Sequence, residues 1–478
     1  MNETIRRLTK NSFVLTAGTA VTRLVNFLVT VYIARQLSVA AFGQFSYAYT
    51  IFFAFAYLIN LGLENLVVRE VARSPNEVTP FLSNILGVRL LGWPLGILLA
   101  GLLWWQDPTS LGVVIFFFGY SLGSAHILLV SAVFRGLEKM EIQALLLSLQ
   151  AMLMAMAVVI ALTWSDNVTV VAAMYCLAAL VVGVLASYLL RREGIVPQLG
   201  WQPDLWRELF WANLPFTVAF VSSLLFERLI VVFVSLFTNN TAVAWFNASY
   251  FIYLALFNVP LILVAVIFPT MSQSATLHSK QHVEQLFTTI FTFLWASSLP
   301  LTVAVIYLAP FIIRFTFGAS YAPAVVILRV LMVGLPFICI VILLAGVLQT
   351  IDAQLVAAHG YAGGMLVTLP LVGFVSWQTG DYLLITVSYT IATMILAGLM
   401  WQLARKQIRL LNPIRTIFVP VTAVLGTLII LQFVPLELYW TLPLSMLWYA
   451  AVLIIGDVLN KEMIFILKIS PSENVNPL

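Results

Sequence analysis

The sequence predicts an all-α membrane protein with about 14 transmembrane helices. Of its 478 residues, 62% are hydrophobic and only 9% are charged, whereas a soluble domain is nearer half apolar and a quarter charged. Apolar stretches of span length recur along the chain, and the connections between them are short. Because the outside of a water-soluble globule must be largely polar, this composition excludes a soluble fold, and it also excludes a disordered chain or a disulfide scaffold.

Windows of about 19 residues place the individual spans. The predicted spans are 12–34, 42–66, 81–104, 111–134, 142–163, 168–190, 209–237, 243–269, 286–309, 323–348, 354–376, 382–403, 414–434 and 438–456. The basic start of the chain precedes an apolar stretch of full span length, so we expect an uncleaved first span rather than a signal peptide. Cys176 and Cys339 each lie inside an apolar run and are expected to be small buried side chains rather than a disulfide or metal site.

The distribution of positive charge predicts the orientation. With the N-terminus in the cytoplasm, 17 of the 23 Lys and Arg residues lie in cytoplasmic segments and 2 lie in outer segments. This asymmetry follows the positive-inside rule and predicts a multi-pass protein with both termini cytoplasmic. It also assigns the net charge of +4 to cytoplasmic loops rather than to nucleic-acid binding.

A break near the middle of the chain divides the predicted spans into two bundles. Residues 194–208 contain two prolines, two tryptophans and mixed charge, as is typical of an interfacial linker. Arg23 and Arg228 are each followed by an apolar run, then a short polar turn, then a span that contains Ser-Tyr. This shared order indicates a parallel repeat about a pseudo-two-fold axis. We therefore predict an N-terminal six-helix bundle over 1–193, a cytoplasmic linker over 194–208, a C-terminal six-helix bundle over 209–405, and two additional transmembrane helices with a cytoplasmic tail over 406–478.

Arg23 is the first of several charges inside the spans. It lies about 16 Å from either end of its span, at 1.5 Å per residue. A charge at the bilayer centre costs about 2.5–3.5 kcal/mol on insertion scales, so it needs a partner or a wet cavity. At 100° per residue, Thr19 and Asn26 share a polar arc with Arg23, so this helix face is expected to meet a polar cavity.

The seventh span carries a matching polar arc that includes Asn213, Glu227 and Arg228. Arg23 and Arg228 occupy equivalent positions of the predicted repeat and would together make a central cavity cationic. An anionic cargo would be attracted there, and the planar guanidinium suits phosphate.

An alternative interpretation is that these charges only hold helices together. Glu227 would then pair with Arg23, and Glu64, on the second span, would pair with Arg89 on the third. Both interpretations stay open at this stage, because one sequence does not show which side chains meet.

No motif for soluble catalysis is found. The sequence contains no P-loop, GxSxG, HExxH or CxxC pattern, and no loop is long enough for a separate catalytic domain. We therefore expect no enzyme activity, no cofactor and no metal site.

The first two spans resemble those of a known family. The stretch NSFVLTAGTAVTRLVNFLVTVYIARQLSVAAFGQFSYAYTIFFAFAYLINLGLENLVVREVAR is similar to bacterial polysaccharide flippases, the Wzx-like members of the multidrug/oligosaccharidyl-lipid/polysaccharide exporter superfamily. Further similarity lies in VFRGLEKME and FTFGASYAPAVVILRVL, and the resemblance covers roughly 10–405.

The resemblance implies a flippase of the bacterial inner membrane, acting in O-antigen or exopolysaccharide biosynthesis. Its cargo would be an undecaprenyl-pyrophosphate-linked oligosaccharide, moved from the cytoplasmic to the periplasmic leaflet by alternating access. The implied partners are this lipid-linked substrate, membrane lipids, and polysaccharide polymerase and glycosyltransferase machinery. A peptidoglycan-precursor (lipid II) flippase and an ion-coupled multidrug exporter of the same superfamily are the alternatives.

The resemblance also gives roles to the intramembrane residues. The expected substrate-binding residues are Arg23, Arg228, Asn26, Thr19 and Asn213, and the expected ion-coupling or gating residues are Glu227, Glu64 and Arg89. The seventh span carries Glu-Arg where the family more often has Asp-Arg, which leaves the coupling ion open.

Overall fold

The computed structural model of this chain is built of helices. It describes residues 2–60, 63–74, 78–90, 92–106, 110–200, 202–257, 280–351, 353–433 and 438–456, and no strand occurs within these ranges. Every span predicted from the sequence coincides with one or more helices over the described residues. The predicted all-α fold class is therefore confirmed.

The first eight helices carry the spans up to residue 192. They are α1 (Asn2–Gln36), α2 (Val39–Leu58), α3 (Leu63–Arg73), α4 (Val78–Leu90), α5 (Trp93–Gln106), α6 (Leu111–Gly136), α7 (Met140–Leu162) and α8 (Val168–Arg192). Asn167 caps α8, because its side chain accepts a hydrogen bond from the Thr169 backbone N–H at 2.8 Å.

The predicted second span is two helices rather than one. At the break, the Asn60 backbone N–H donates to the Tyr57 carbonyl at 3.2 Å, and the Asn60 carbonyl accepts from the Leu63 N–H at 2.8 Å. Asparagine favours such turns because its short polar side chain competes for backbone hydrogen bonds. The break places Glu64 in the first turn of α3, where a carboxylate is favoured by the helix dipole.

The predicted third span is also divided, between α4 and α5. The Gly92 N–H donates to the Arg89 carbonyl at 3.0 Å, and Pro94 is the second residue of α5. Proline is tolerated in the first turn of a helix because its missing N–H would have no partner there.

The remaining helices follow with short connections. They are α9 (Pro203–Phe237), α10 (240–257), α11 (Lys280–Thr316), α12 (Ala324–Thr350), α13 (Gln354–Thr379), α14 (Tyr382–Ala404), α15 (Val419–Phe433) and α16 (Leu438–Ile455). A π-helical turn, Ile414–Phe418, precedes α15.

The chain forms two compact units. The first contains Met1–Ala248 and Thr316–Ser320, and the second contains Ser249–Phe315 and Tyr321–Leu478. The first unit therefore includes α9 with the helices before it. The bundle boundaries expected from the sequence repeat stay a prediction.

In the first unit, α6 packs closely against α8 through small residues. A Cβ on Gly119 would lie 2.7 Å from the Cys176 Sγ, and one on Gly123 would lie 3.0 Å from the Ala179 Cβ. Small residues let transmembrane backbones approach in this way. Cys176 and Cys339 are both buried and free, as the sequence predicted.

In the second unit, α12 is a central helix and packs against α13 and α14. The helices α15 and α16 pair with each other, and the buried Tyr449 hydroxyl of α16 donates to the Ala296 carbonyl of α11 at 2.7 Å. The Trp295 ring N–H of α11 donates to the Ile417 carbonyl at 3.2 Å. These two bonds fix the last helices to α11.

Nine helices within the described ranges are long and apolar enough to cross a membrane, and three shorter apolar helices accompany them. Large apolar side chains remain exposed on many of them, including Trp105 at 84% and Trp164 at 88%. Lipid is the solvent that such surfaces require, and Trp is enriched where a span meets the membrane interface. The chain is a multi-pass membrane protein.

Candidate functional site: a cation and aromatic cluster

An aromatic ladder runs along one face of α2. Tyr49, Phe53 and Tyr57 are spaced four residues apart, so they stack on the same helix face. Their ring centroids are 5.6 Å apart from Tyr49 to Phe53 and 5.0 Å apart from Phe53 to Tyr57. Tyr49 is held in turn by Tyr120 and Tyr175, at 6.0 and 5.5 Å. The ladder is therefore a fixed surface inside the first unit.

Arg228 lies over this ladder. It projects from α9, which packs against α2, and its guanidinium carbon is 4.8 Å from the centroid of the Phe53 ring. Its Nε is buried and has no hydrogen-bond partner among the described residues. A cation on an aromatic face is attracted by the ring quadrupole, but this contact satisfies none of its N–H groups. The Phe53 ring thus positions the Arg228 guanidinium, and the Arg228 Nε remains able to donate a hydrogen bond to an acceptor.

Arg23 approaches the same ladder from α1. It interacts electrostatically with Tyr57, which also interacts with Arg228. Arg23 is exposed, yet it lies roughly 130° around the helix from the centre of the exposed apolar face formed by Leu24, Leu28 and Val21. It also lies outside the helix face that packs against α7, where the Thr22 Oγ1 lies 3.5 Å from the Ser148 Oγ. The polar arc predicted from the sequence is therefore a third face of α1.

Glu227, the sequence neighbour of Arg228 on α9, is the carboxylate that lies beside this cluster. Glu227 is half-buried and interacts electrostatically with Arg228. The structure thus brings Arg23 and Arg228 to the same tyrosine inside one compact unit. The two cationic side chains predicted for this site therefore lie beside an aromatic surface.

The other expected substrate-binding residues flank this cluster. Thr19 and Asn26 are half-buried on α1, and the Asn26 carbonyl accepts a hydrogen bond from the buried Thr30 hydroxyl at 2.8 Å. Asn213 belongs to α9, but its side chain lies outside the described residues. Their part in binding stays a prediction.

Glu64 forms a second polar group at the break between α2 and α3. The Asn60 amide donates to Glu64 Oε1 at 3.2 Å and to the Ala125 carbonyl at 3.3 Å, and Asn60 is only 1% exposed. Arg89 and Arg135 both interact electrostatically with Glu64. One carboxylate is therefore shared between an amide and two guanidinium groups.

Arg89 is the most deeply buried charge of this second group. It is 7% exposed, and its Nε has no hydrogen-bond partner in the described part of the chain. It interacts electrostatically with His126, whose Nε2 lies 2.8 Å from the Ser187 Oγ. Glu64 therefore interacts electrostatically with Arg135 as well as with Arg89, and Arg89 also interacts with His126.

Sequence reasoning missed Phe53 and the role of Asn60. The four-residue spacing from Tyr49 to Tyr57 is visible in the sequence, but only the structure shows that α9 places a guanidinium over its middle ring. Groups of three or more metal-ligating side chains are not found within the described ranges. The arrangement presents two guanidinium groups to an anion beside one tyrosine, and it holds a half-buried carboxylate, Glu64, that can change charge.

Comparison with known proteins identifies the family of this chain. A family profile described as polysaccharide biosynthesis protein matches residues 8–275, more than half of the chain. The chain belongs to this family. The resemblance read from the first two spans is thereby confirmed. No curated sequence relative matches the chain significantly.

Solved structures share the fold of this family member at low sequence identity. The lipid II flippase MurJ in an inward closed conformation matches with a TM-score of 0.65 and 12% identity, over 95% of this chain and 100% of that chain. An inward-facing multidrug resistance MATE family transporter of the MOP superfamily matches with a TM-score of 0.61 and 14% identity, over 81% and 94%. A MOP superfamily transporter from Pyrococcus furiosus matches with a TM-score of 0.59 and 15% identity, over 84% and 95%. The chain has the MurJ and MATE-like fold of the MOP superfamily.

Proposed function

We propose that this protein is a flippase that moves an undecaprenyl-pyrophosphate-linked oligosaccharide from the cytoplasmic to the periplasmic leaflet of the bacterial inner membrane. The observation that carries the proposal is the Arg228 guanidinium on the Phe53 ring, with a buried Nε that no described residue satisfies. Arg23 adds a second positive charge beside Tyr57. Two guanidinium groups present the planar donor sets that bind phosphate oxygens.

The chemistry of the cluster favours an anionic head over a cationic drug. A cationic drug would have to approach two arginines, and like charges repel strongly in a low dielectric. One structural relative, the Pyrococcus furiosus transporter, is described as having a binding pocket of reversed polarity that suggests a different function. The same fold is therefore compatible with cargoes of opposite charge.

A lipid II flippase is the second candidate, because the MurJ structure covers 95% of this chain. Both cargoes carry a pyrophosphate on a polyprenyl tail, so the arginine cluster suits either of them. The family described as polysaccharide biosynthesis protein favours the oligosaccharide cargo. The partners would then be the lipid-linked substrate, membrane lipids, and polymerase and glycosyltransferase machinery.

The coupling step is assigned to the carboxylates. In an alternating-access cycle, the cargo head binds at Arg23 and Arg228 from the cytoplasmic side, and protonation or cation binding at Glu227 or Glu64 biases the return. Glu64 is suited to this role because it is held by Asn60 and shared with Arg89 and Arg135. The orientation with both termini cytoplasmic follows from the positive-inside distribution of Lys and Arg.

The test is translocation by purified protein in liposomes. A fluorescent undecaprenyl-pyrophosphate oligosaccharide, lipid II and a cationic dye are compared as cargoes. Arg228→Gln should slow movement of the oligosaccharide lipid by roughly 10- to 100-fold, since a hydrogen bond to a charged group contributes about 1.5–3 kcal/mol.

Arg192→Gln is the matched control. Arg192 also lies over an aromatic ring, 5.8 Å from the Tyr188 centroid, but at the end of α8 away from the cluster. It should transport normally. Equal transport by Arg228→Gln and the wild type would reject the cationic site, and preferred transport of lipid II or of the dye would replace the proposed cargo.

A further inference from the structure

The first unit contains a polar cavity in addition to the arginine cluster. It has a volume of about 460 Å³ and is lined by the start of α2, the start of α6, the end of α9 and the turn before α10, with one residue from α5. Small-molecule sites span about 300–1,000 Å³, so this cavity has the size of a ligand site.

The lining is polar but uncharged. Its side chains include one glutamine, one tyrosine, two serines, one threonine and two asparagines, and its other residues are Ala, Val and Leu. Amides and hydroxyls both donate and accept hydrogen bonds. They can therefore bind the hydroxyl groups of a sugar, which also donate and accept. A pyrophosphate would instead find no cation among these lining residues and would lose its hydration without a counter-charge.

Hydrogen bonds between two helices and within the turn after α9 hold the walls of the cavity in place. The side chains of Tyr47 on α2 and Ser235 on α9 hydrogen-bond to each other. The Asn239 side chain accepts from the Ala242 N–H at 2.9 Å, and the Thr238 hydroxyl donates to the Val234 carbonyl. A site held in this way loses little freedom when a ligand binds.

The position of the cavity along the transport path follows from the predicted topology. All of the chain segments that line it are at the outer ends of their spans when the N-terminus is cytoplasmic. Trp104 and Trp105, which are 48% and 84% exposed, lie next to this end on α5. Glu64 and Arg89 belong to the opposite ends of their spans.

We propose that this cavity binds an uncharged sugar ring of the cargo, of the hexose or N-acetylhexosamine class, at the outer end of the first unit. The inference rests on the proposed flippase function, because it divides the cargo between two sites. The arginine cluster takes the pyrophosphate, and the outer cavity takes part of the glycan. Tyr47 supplies a ring face, and Gln44 and Asn240 supply amides that bind hydroxyl groups.

The experiment is protection of a single cysteine from labelling. The two native cysteines are buried, and Asn240 is exposed in the lining, so Asn240→Cys gives one accessible thiol. The purified full chain in detergent is treated with a maleimide in the presence of maltose, N,N′-diacetylchitobiose or inorganic pyrophosphate. At least one disaccharide should slow labelling in a saturable way, and pyrophosphate should not.

Gln36→Cys is the matched control, because Gln36 is an exposed neutral amide at the end of α1 and does not line the cavity. No ligand should protect it. Adding Gln44→Leu to Asn240→Cys keeps a side chain of similar size, and it should weaken protection by roughly threefold to tenfold, as expected for one lost hydrogen bond. The absence of protection by either sugar, equal protection at the control position, or protection by pyrophosphate would overturn the sugar site.

Transport of the same variants separates this inference from the proposed function. Gln44→Leu should slow a glycosylated undecaprenyl pyrophosphate more than the sugar-free lipid. If neither lipid moves in the wild type while sugar protection persists, the flippase proposal fails and the sugar site stands. If both lipids move equally in the variant and in the wild type, the outer cavity has no part in transport.

Discussion

Replacing Gly43 by alanine tests how closely α2 and the start of α10 must approach. An ideal Cβ at Gly43 would lie 1.7 Å from the Asn240 carbonyl oxygen, whereas real Cβ atoms keep at least 3.0 Å from such an atom. The two backbone segments would therefore have to separate by about 1.3 Å, and the neighbouring atom is a carbonyl that no side-chain rotation can move away. Overpacking of this kind costs about 1–3 kcal/mol.

Gly101→Ala is the control for this change. Gly101 also lies inside a helix, and a Cβ there would meet nothing within 4 Å. Both variants gain the helix propensity of alanine, about 1 kcal/mol, so the difference between them isolates the contact with Asn240. Thermal unfolding of the detergent-solubilised proteins should place Gly43→Ala below Gly101→Ala by the equivalent of about 1–3 kcal/mol.

The consequence for transport follows from the position of Gly43. The next residue, Gln44, and Asn240 both line the outer cavity, so a separation of the two segments would widen it. Gly43→Ala should therefore slow movement of the lipid-linked glycan even in preparations that remain folded. Equal stability and equal transport of the two alanine variants would refute the close approach, and with it the geometry of the cavity.

Three further changes test the remaining contacts. Phe53→Leu should weaken binding of the pyrophosphate lipid by roughly 2- to 30-fold, since a cation on a ring contributes about 0.5–2 kcal/mol. Phe53→Tyr keeps the ring under Arg228 and should bind this lipid normally. Glu64→Gln keeps the hydrogen bond from Asn60 but removes the negative charge. Translocation in liposomes should therefore lose its response to a pH gradient, and an unchanged response would show that Glu64 has no part in coupling. Tyr449→Phe loses a buried hydrogen bond to a carbonyl of α11, so it should lower the free energy of unfolding by about 1 kcal/mol without changing transport. A transport defect in folded protein would contradict this structural role.

The helices could be predicted from the sequence because their signal is local. A run of about 20 apolar residues must become a helix in lipid, where no other segment satisfies its own backbone hydrogen bonds. The break at Asn60 was not predicted, because hydropathy averaged over a window passes over a single turn. The division beside Gly92 and Pro94 has a sequence signal, but a proline inside a span is also common in unbroken transmembrane helices.

The candidate site could be predicted only in part. Arg23 and Arg228 stand out because a charge inside an apolar span is rare and costly. Their meeting at Tyr57 depends on the packing of α1 and α9 around α2, and no pattern within one helix encodes that packing. The outer cavity could not be predicted, because Gln44, Ser110 and Asn240 are ordinary residues near span ends. They form a site only when the ends of several helices meet.

The way Arg228 is held bears on how a flippase can both bind and release its cargo. A guanidinium paired with a buried carboxylate would have to break a strong interaction before it could accept a phosphate, and it would leave an uncompensated charge behind. The Phe53 ring instead contributes about 0.5–2 kcal/mol and occupies none of the N–H donors. Cargo binding can then add a hydrogen bond at the unpartnered Nε, and after cargo release the cation still lies on its ring rather than in an empty low-dielectric space. An aromatic support is therefore better suited than an ion pair to a site that must be filled and emptied in every transport cycle.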